Sequence, residues 1–216
     1  MVTYPGTSAP KIRLINTHSE DKNESREICM GTHTGTHIDS QRHMIKGGKS
    51  IDKQNTKYFI TRASILRLGH IKPGQEITSQ LLSRHDSDIG KTESLLIDTQ
   101  FWKYRKLKDV YSTRWPYLGE GAANYLAGFR LKIVGIDGLS IAQNLQLASD
   151  KDVIFSVHKI LLKRGILILE ETNFSEIEMK MNNKNIIEGA LLIIPLKIKG
   201  SDASWVRPIF IVEDSQ

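Results

Sequence analysis

Residues 31–43 read GTHTGTHIDSQRH, which places His33, His37, Asp39 and His43 within eleven residues. Seven histidines in 216 residues would put about a third of one in such a window by chance, so a tract this dense points to metal. Neutral imidazole and carboxylate are the donors that divalent zinc or manganese accepts. The glycines and threonines between them disfavour a regular helix, which sets the stretch on a loop running into or out of a strand. On extended backbone His37 and Asp39 point the same way, because side chains alternate with a period of two. His33 and His43 then need a bend on either side, for which Gly31, Gly35 and the loop after Asp39 are available.

Working outward, the flanking sequence alternates short apolar runs with turn residues. Lys11–Asn16 reads as a first strand and residues 16–27 as a polar loop or hairpin. Residues 63–68 (ASILRL), 93–98 (ESLLID), 131–136 (LKIVGI) and 166–169 (ILIL) read as strands, the last three apolar enough to be buried. Residues 78–84 form a short helix capped by Thr78 and residues 119–126 a second one. Residues 152–164 are the clearest helix, with Ile154, Val157 and Leu161 at spacings of three and four and Gly165 closing it. Residues 175–185 are polar and read as a connection. Residues 190–199 and 206–212 read as two closing strands joined by a turn over residues 200–203. The expectation is an α/β chain, 1–216 as a single β-rich domain, with a few helices packed on a mixed sheet.

A chain of this length buries a core without staples, and 39% hydrophobic with 25% charged residues is ordinary for a globular protein. The single cysteine, Cys29, excludes an internal disulfide and fits a reducing cytoplasm; a buried small apolar residue is its expected role, ahead of metal ligand or nucleophile. The opening residues lack the pattern of a signal peptide, and the longest apolar run, residues 190–196, is too short to span a bilayer. The net charge of +6 is scattered among acids, with no block of five or six like charges, so neither a nucleic-acid partner nor a membrane partner is expected. No G-x-S-x-G elbow, P-loop or G-x-G-x-x-G fingerprint is present. Trp102, Trp115 and Tyr117 are expected to pack in the core or an interface rather than line a pocket.

Three donors from one stretch leave a metal site incomplete. His158 borders the apolar face of the 152–164 helix and points inward. Glu170 and Glu171 end an apolar strand, where a buried charge is costly unless paired or bound to metal. Strand parity does not choose between them.

His33 through Asp39, followed by His43, resembles the HxGTHxDxxxH motif of the cyclase family of metal-dependent hydrolases, which includes bacterial kynurenine formamidase and isatin hydrolase. The likeness extends to Tyr4-Pro5-Gly6, to Val134 through Asp137 with Leu139-Ser140, to Val157-His158 through Leu169-Glu170, and to Pro195 through Gly200 with Val206-Arg207. It implies a swivelling β/β/α fold and a homodimer or homotetramer. It also implies His33, His37 and Asp39 on one metal, Asp39 bridging to a second held by His158, Glu170 touching both, and His43 as the acid/base. The implied cofactor is zinc or manganese, two ions per chain, and the implied substrate a small amide, an N-formyl aryl amide above others. A lactone or cyclic amide, or a fold kept for metal binding alone, is the alternative. Two departures stand out. Ser40-Gln41 follows the motif aspartate where the family has Ala-Pro, and Thr7 follows Pro5-Gly6 where many relatives carry an acid.

Overall fold

The computed structural model describes residues 2–147, 151–181 and 184–212. Its strands are β1 (Lys11–Asn16), β2 (Ser25–Cys29), β3 (His37–Asp39), β4 (Ile60–Arg67), β5 (Glu76–Ile77), β6 (Ser94–Asp98), β7 (Tyr117–Leu118), β8 (Ile133–Ile136), β9 (Leu167–Glu170), β10 (Ile186–Leu192), β11 (Ala203–Trp205) and β12 (Ile209–Val212). Eight of them form one mixed sheet in the order β11-β3-β9-β8-β6-β4-β10-β12. The central four, β4, β6, β8 and β9, run parallel, while β3 and β10 pair antiparallel on either side. The parallel strands are nearly continuous runs of buried Ile, Leu and Val, as a sheet covered on both faces requires.

One face packs Leu95, Ile97, Val134, Ile136 and Ile168 beneath the helices Glu120–Leu126 and Lys151–Lys163. The second helix seats Val157, Leu161 and Leu162 on the sheet and is closed by Gly165 at a φ of 79°. The other face packs Ile65, Leu96, Ile133, Leu167 and Leu169 against Ile38, Phe59 and Phe174. Consecutive strands β11 and β12 occupy opposite edges of the sheet. Only residues 206–208 separate them, a reach of roughly 14 Å. The sheet therefore curls until its two edges nearly meet, and this brings the end of the chain back to the histidine stretch.

Most of the expected elements are present, with boundary shifts. Thr78 caps the Ser79–Leu82 helix by accepting from the Leu81 amide. The hairpin alternative for residues 16–27 holds, and four other expectations need correction. Residues 16–27 hold the short helix His18–Asp21 and the strand β2, which pairs with β1 as a hairpin. Cys29 ends β2 on that exposed hairpin and is solvent-accessible, since no layer covers it. Residues 175–185 include the turns Ser175–Ile177 and Glu178–Met181, and Ile186–Leu192 follows as a strand whose alternating burial was hidden by Glu188 and Gly189. That strand stops at Leu192, because the Ile193 amide turns to the Phe59 carbonyl and Pro195 has no amide to offer a ladder. Finally, Pro208 splits the last predicted strand, and Ala203, placed in the turn, belongs to β11.

Candidate metal centre

The geometry begins with β3. Its three residues are buried, His37 and Asp39 share one side, and His37 Nε2 lies 3.3 Å from Asp39 Oδ1. The left-handed turn at Gly35, φ 71°, returns the chain so that the His37 Nδ1–H donates to the Gly35 carbonyl at 2.8 Å. That bond leaves Nε2 as the free lone pair. His33 folds over the same carboxylate, with Nδ1 2.9 Å from Asp39 Oδ1. After Asp39 the turn Gln41–His43 brings the His43 ring to 4.1 Å from that of His33.

Strand β9 pairs with β3 in a register that sets Glu170 beside His37. Glu170 Oε2 lies 3.2 Å from His37 Nε2, and Oε1 lies 3.1 Å from His158 Nε2 on the Lys151–Lys163 helix. The Ile141 amide and the Ser140 hydroxyl also donate to Oε1, at 2.7 and 3.2 Å. His158 Nε2 stands 4.0 Å from Asp39 Oδ2. Glu170, not Glu171, joins the cluster. Glu171 leaves the strand at a φ of 57°, and its carbonyl accepts from the Thr36 hydroxyl and the Arg105 guanidinium. All six candidates, His33, His37, Asp39, His43, His158 and Glu170, thus meet at one place.

The electrostatics show how strongly these groups depend on one another. Burial disfavours a charged His33 ring, but the Asp39 charge and the Asp202 hydrogen bond outweigh it and raise the pKa to about 9. Burial opposes charge at His37 as well, and the carboxylates of Asp39 and Glu170 push its pKa well above the ordinary value. Burial and the neighbouring Asp39 charge would raise Glu170, yet His158 and His37 draw it down to about 2. Asp39 is fully buried and still held well below the carboxylate range by His33 and His37. In this balance the protons on the imidazoles do the work a divalent cation would do.

The donor set fits such an ion. Among the described residues, His37 Nε2 and both Asp39 oxygens are buried without a hydrogen bond, a costly state that coordination would relieve. Donor atoms of His33, His37 and Asp39 lie within 4.8 Å of one another, as do those of Asp39, His43 and His158. Beside them opens a cavity of about 240 Å³ walled by Tyr4, Met44, Leu145 and Phe155, with His33, His43, His158 and Glu170 at its polar end.

Sequence reasoning missed two contributors. Asp202, in the turn before β11, bonds His33 Nε2 at 2.8 Å and lies 3.5 Å from His43 Nδ1. Tyr4 enters the cavity wall backed by Trp115, ring centroids 5.3 Å apart. Tyr4 stands in the Tyr4-Pro5-Gly6 stretch of the likeness but was given no role there, and Asp202 carries no local signal, since it reaches the site only through tertiary folding. Trp102, Trp115 and Tyr117 pack in the apolar clusters, and none of them lines this cavity.

Known proteins resemble this chain over most of its length. Kynurenine formamidase from Geobacillus thermodenitrificans is 29% identical over 181 residues, covering 84% of this chain and 77% of that one. The namesake from Bacillus thuringiensis is 24% identical over 213 residues, covering 97% and 90%. Among solved structures, isatin hydrolase A from Ralstonia solanacearum superposes with a TM-score of 0.77 at 18% identity, covering 96% of this chain and 83% of that one. A potential metal-dependent hydrolase with cyclase activity superposes with a TM-score of 0.73 at 23% identity, covering 99% and 95%. The family model described as "Putative cyclase" matches residues 2–143, which hold the histidine stretch and the β4–β6–β8 core, so the chain belongs to the cyclase family and is a hydrolase of that family.

Proposed function

We propose that this hydrolase cleaves the C–N bond of a small amide, an N-formyl aryl amide first among candidates, with two divalent ions of zinc or manganese. The observation that carries this reading is the buried Asp39 carboxylate, whose two oxygens lack hydrogen bonds while His33, His37 and His158 converge on it. His33, His37 and Asp39 would hold one ion; Asp39, His158 and Glu170 would hold the other, with both carboxylates shared. When bound, such a pair lowers the pKa of a coordinated water toward roughly 7 and polarises a carbonyl.

The chain's own groups supply the rest. His43 has a nitrogen within 4.8 Å of donor atoms of Asp39 and His158 and lines the cavity, so it can take a proton from water and return it to the leaving nitrogen. The apolar walls from Tyr4, Met44, Leu145 and Phe155 accept a flat aromatic group and keep bulk water from the carboxylates. The products are a carboxylate and an amine.

The exposed hairpin supports the further reading that the chain assembles as a homodimer or homotetramer. Ile12 and Ile28, paired across β1 and β2, are 64% and 58% exposed, and a two-stranded ribbon is marginal in water without a surface to pack on.

The test is hydrolysis of N-formylkynurenine, isatin and a simple aromatic lactone by zinc- or manganese-reconstituted protein. The expected result is turnover of the formamide that falls by about 10²–10⁴ in His43→Ala with metal still bound. Turnover of isatin or the lactone alone would move the reaction to cyclic substrates. Unchanged turnover in the variant, or no uptake of metal by the wild type, would overturn the mechanism.

A further inference from the structure

The Asp202 carboxylate is placed to govern two imidazoles at once. Its Oδ2 accepts from His33 Nε2 at 2.8 Å and lies 3.5 Å from His43 Nδ1, while Oδ1 accepts from the Thr32 hydroxyl at 3.1 Å. Its own carbonyl is fixed by the amide and the hydroxyl of Ser40, each at 2.8 Å. The next residue, Ala203, pairs with Asp39 across β11 and β3, so the carboxylate sits one residue from the register point of the metal cluster. Asp202 is outside the lining of the cavity.

We propose that Asp202 is a positioning residue that sets the tautomer of both His33 and His43. With an ion bound, a proton on His33 Nε2, shared with Asp202, would leave Nδ1, which lies 2.9 Å from Asp39, as the donor lone pair. A proton on His43 Nδ1, directed at the same oxygen, leaves Nε2 as the basic nitrogen. One oxygen with two lone pairs can accept from both rings. The carboxylate–histidine–metal relay that results fixes ring orientation and raises the basicity of the donating nitrogen. One residue on the closing hairpin thereby couples cation binding to proton transfer. This inference rests on the metal-hydrolase reading above.

The experiment compares wild type, Asp202→Asn and Thr32→Val by zinc competition with a chromophoric chelator, by steady-state kinetics at saturating zinc, and by long-range proton–nitrogen spectra of the histidine rings. The expected result for Asp202→Asn is zinc affinity weakened about 10–100-fold. In addition kcat falls while KM changes little, and the His33 Nε2–H and His43 Nδ1–H pattern is lost. Thr32→Val, which leaves the carboxylate in place with one bond fewer, shifts all three in the same direction by less. Ser40→Ala controls for folding, since it loosens the Asp202 carbonyl and leaves the carboxylate. A zinc affinity and ring pattern unchanged in Asp202→Asn overturns the proposal while the parent reading stands. A Ser40→Ala protein that loses zinc as Asp202→Asn does also overturns it, because the effect is then one of folding. A wild type that binds no zinc overturns both.

Discussion

Two groups of buried carboxylates sit in the same sheet, and they are treated oppositely. Asp98 and Asp137, at the ends of β6 and just beyond β8, are fully buried and fully bonded. Asp98 Oδ1 accepts from the Gln100 amide and the Trp102 indole at 2.9 and 3.2 Å, and Oδ2 pairs with Arg67 at 2.7 Å. Asp137 accepts from the Thr99 hydroxyl at 2.6 Å and from the Trp102 amide at 3.2 Å. Burial still pushes Asp137 up to about 7, with the Thr99 bond opposing it. Asp39 is equally buried, yet among the described residues its oxygens meet only the imidazoles of His33, His37 and His158 and accept no hydrogen bond. A saturated carboxylate ties loops together; one left bare among imidazoles is kept for a ligand.

That contrast breaks most sharply on substitution. Asp39→Asn removes a shared donor, so zinc affinity falls beyond the ~10–100-fold typical of a residue that only orients a ligand, and turnover drops to background. The metal-free protein also loses stability, because the charge that pairs with His33 and His37 is gone. Asp98→Ala acts on stability alone. It takes one of two carboxylate partners from Arg67, which keeps Glu178, and leaves the Gln100 amide and the Trp102 indole without an acceptor, costing about 1–3 kcal/mol in urea unfolding with zinc affinity of the folded chain intact. If Asp98→Ala weakens zinc binding by the folded chain as much as Asp39→Asn does, the two clusters are not different in kind.

A pH series sharpens the comparison at smaller amplitude. His33 has a folded-state pKa of about 9, above its unfolded value near 6.5. Its contribution to stability is therefore complete below pH 6.5 and is lost as the pH rises through 9, a change of roughly 3 kcal/mol at most. Urea midpoints of the metal-free protein should fall across that window, and the fall should vanish in His33→Gln. Zinc-loaded protein should hold its midpoint there, since the ion occupies the proton's place and favours the deprotonated ring. A zinc-loaded midpoint that drops in parallel with the metal-free one would mean that His33 is not a ligand.

How much of this was legible beforehand follows from what each signal depends on. The histidine stretch, the buried strands Ser94–Asp98 and Leu167–Glu170 and the Lys151–Lys163 helix announce themselves by local spacing, which the fold preserves. The choice of Glu170 over Glu171 was not local. It depends on the antiparallel register that places Glu170 beside His37, and on the left-handed Glu171 backbone that ends the strand. Asp202 was invisible because a polar turn at residues 200–203 looks like any other until β11 pairs with β3. The opposite edges of the sheet being joined by Val206, Arg207 and Pro208 was hidden for the same reason: proline position is readable, pairing partners are not.

The smallest effect concerns Ser40-Gln41, where the family has Ala-Pro. Here Ser40 donates its hydroxyl to the Asp202 carbonyl at 2.8 Å, and the Gln41 amide group donates to the Leu162 carbonyl at 3.1 Å, near the end of the helix that carries His158. Two hydrogen bonds thus hold the loop that a proline ring would otherwise stiffen. Replacing the pair by Ala-Pro removes both bonds, each worth about 1 kcal/mol, but the Ser40 amide keeps its bond to the same carbonyl. Proline at the first position of the Gln41–His43 turn suits its fixed φ and returns roughly 0.4–1 kcal/mol through the unfolded chain. The net loss is about 1 kcal/mol, or some 2–4 °C in melting temperature for a chain of this size. Zinc affinity should not change, because every donor atom and the Asp202 carboxylate remain. Should the double variant instead lose zinc, the loop would have to be counted with the bare carboxylates rather than with the saturated ones, since its bonds would then be setting ligand geometry and not merely holding the chain.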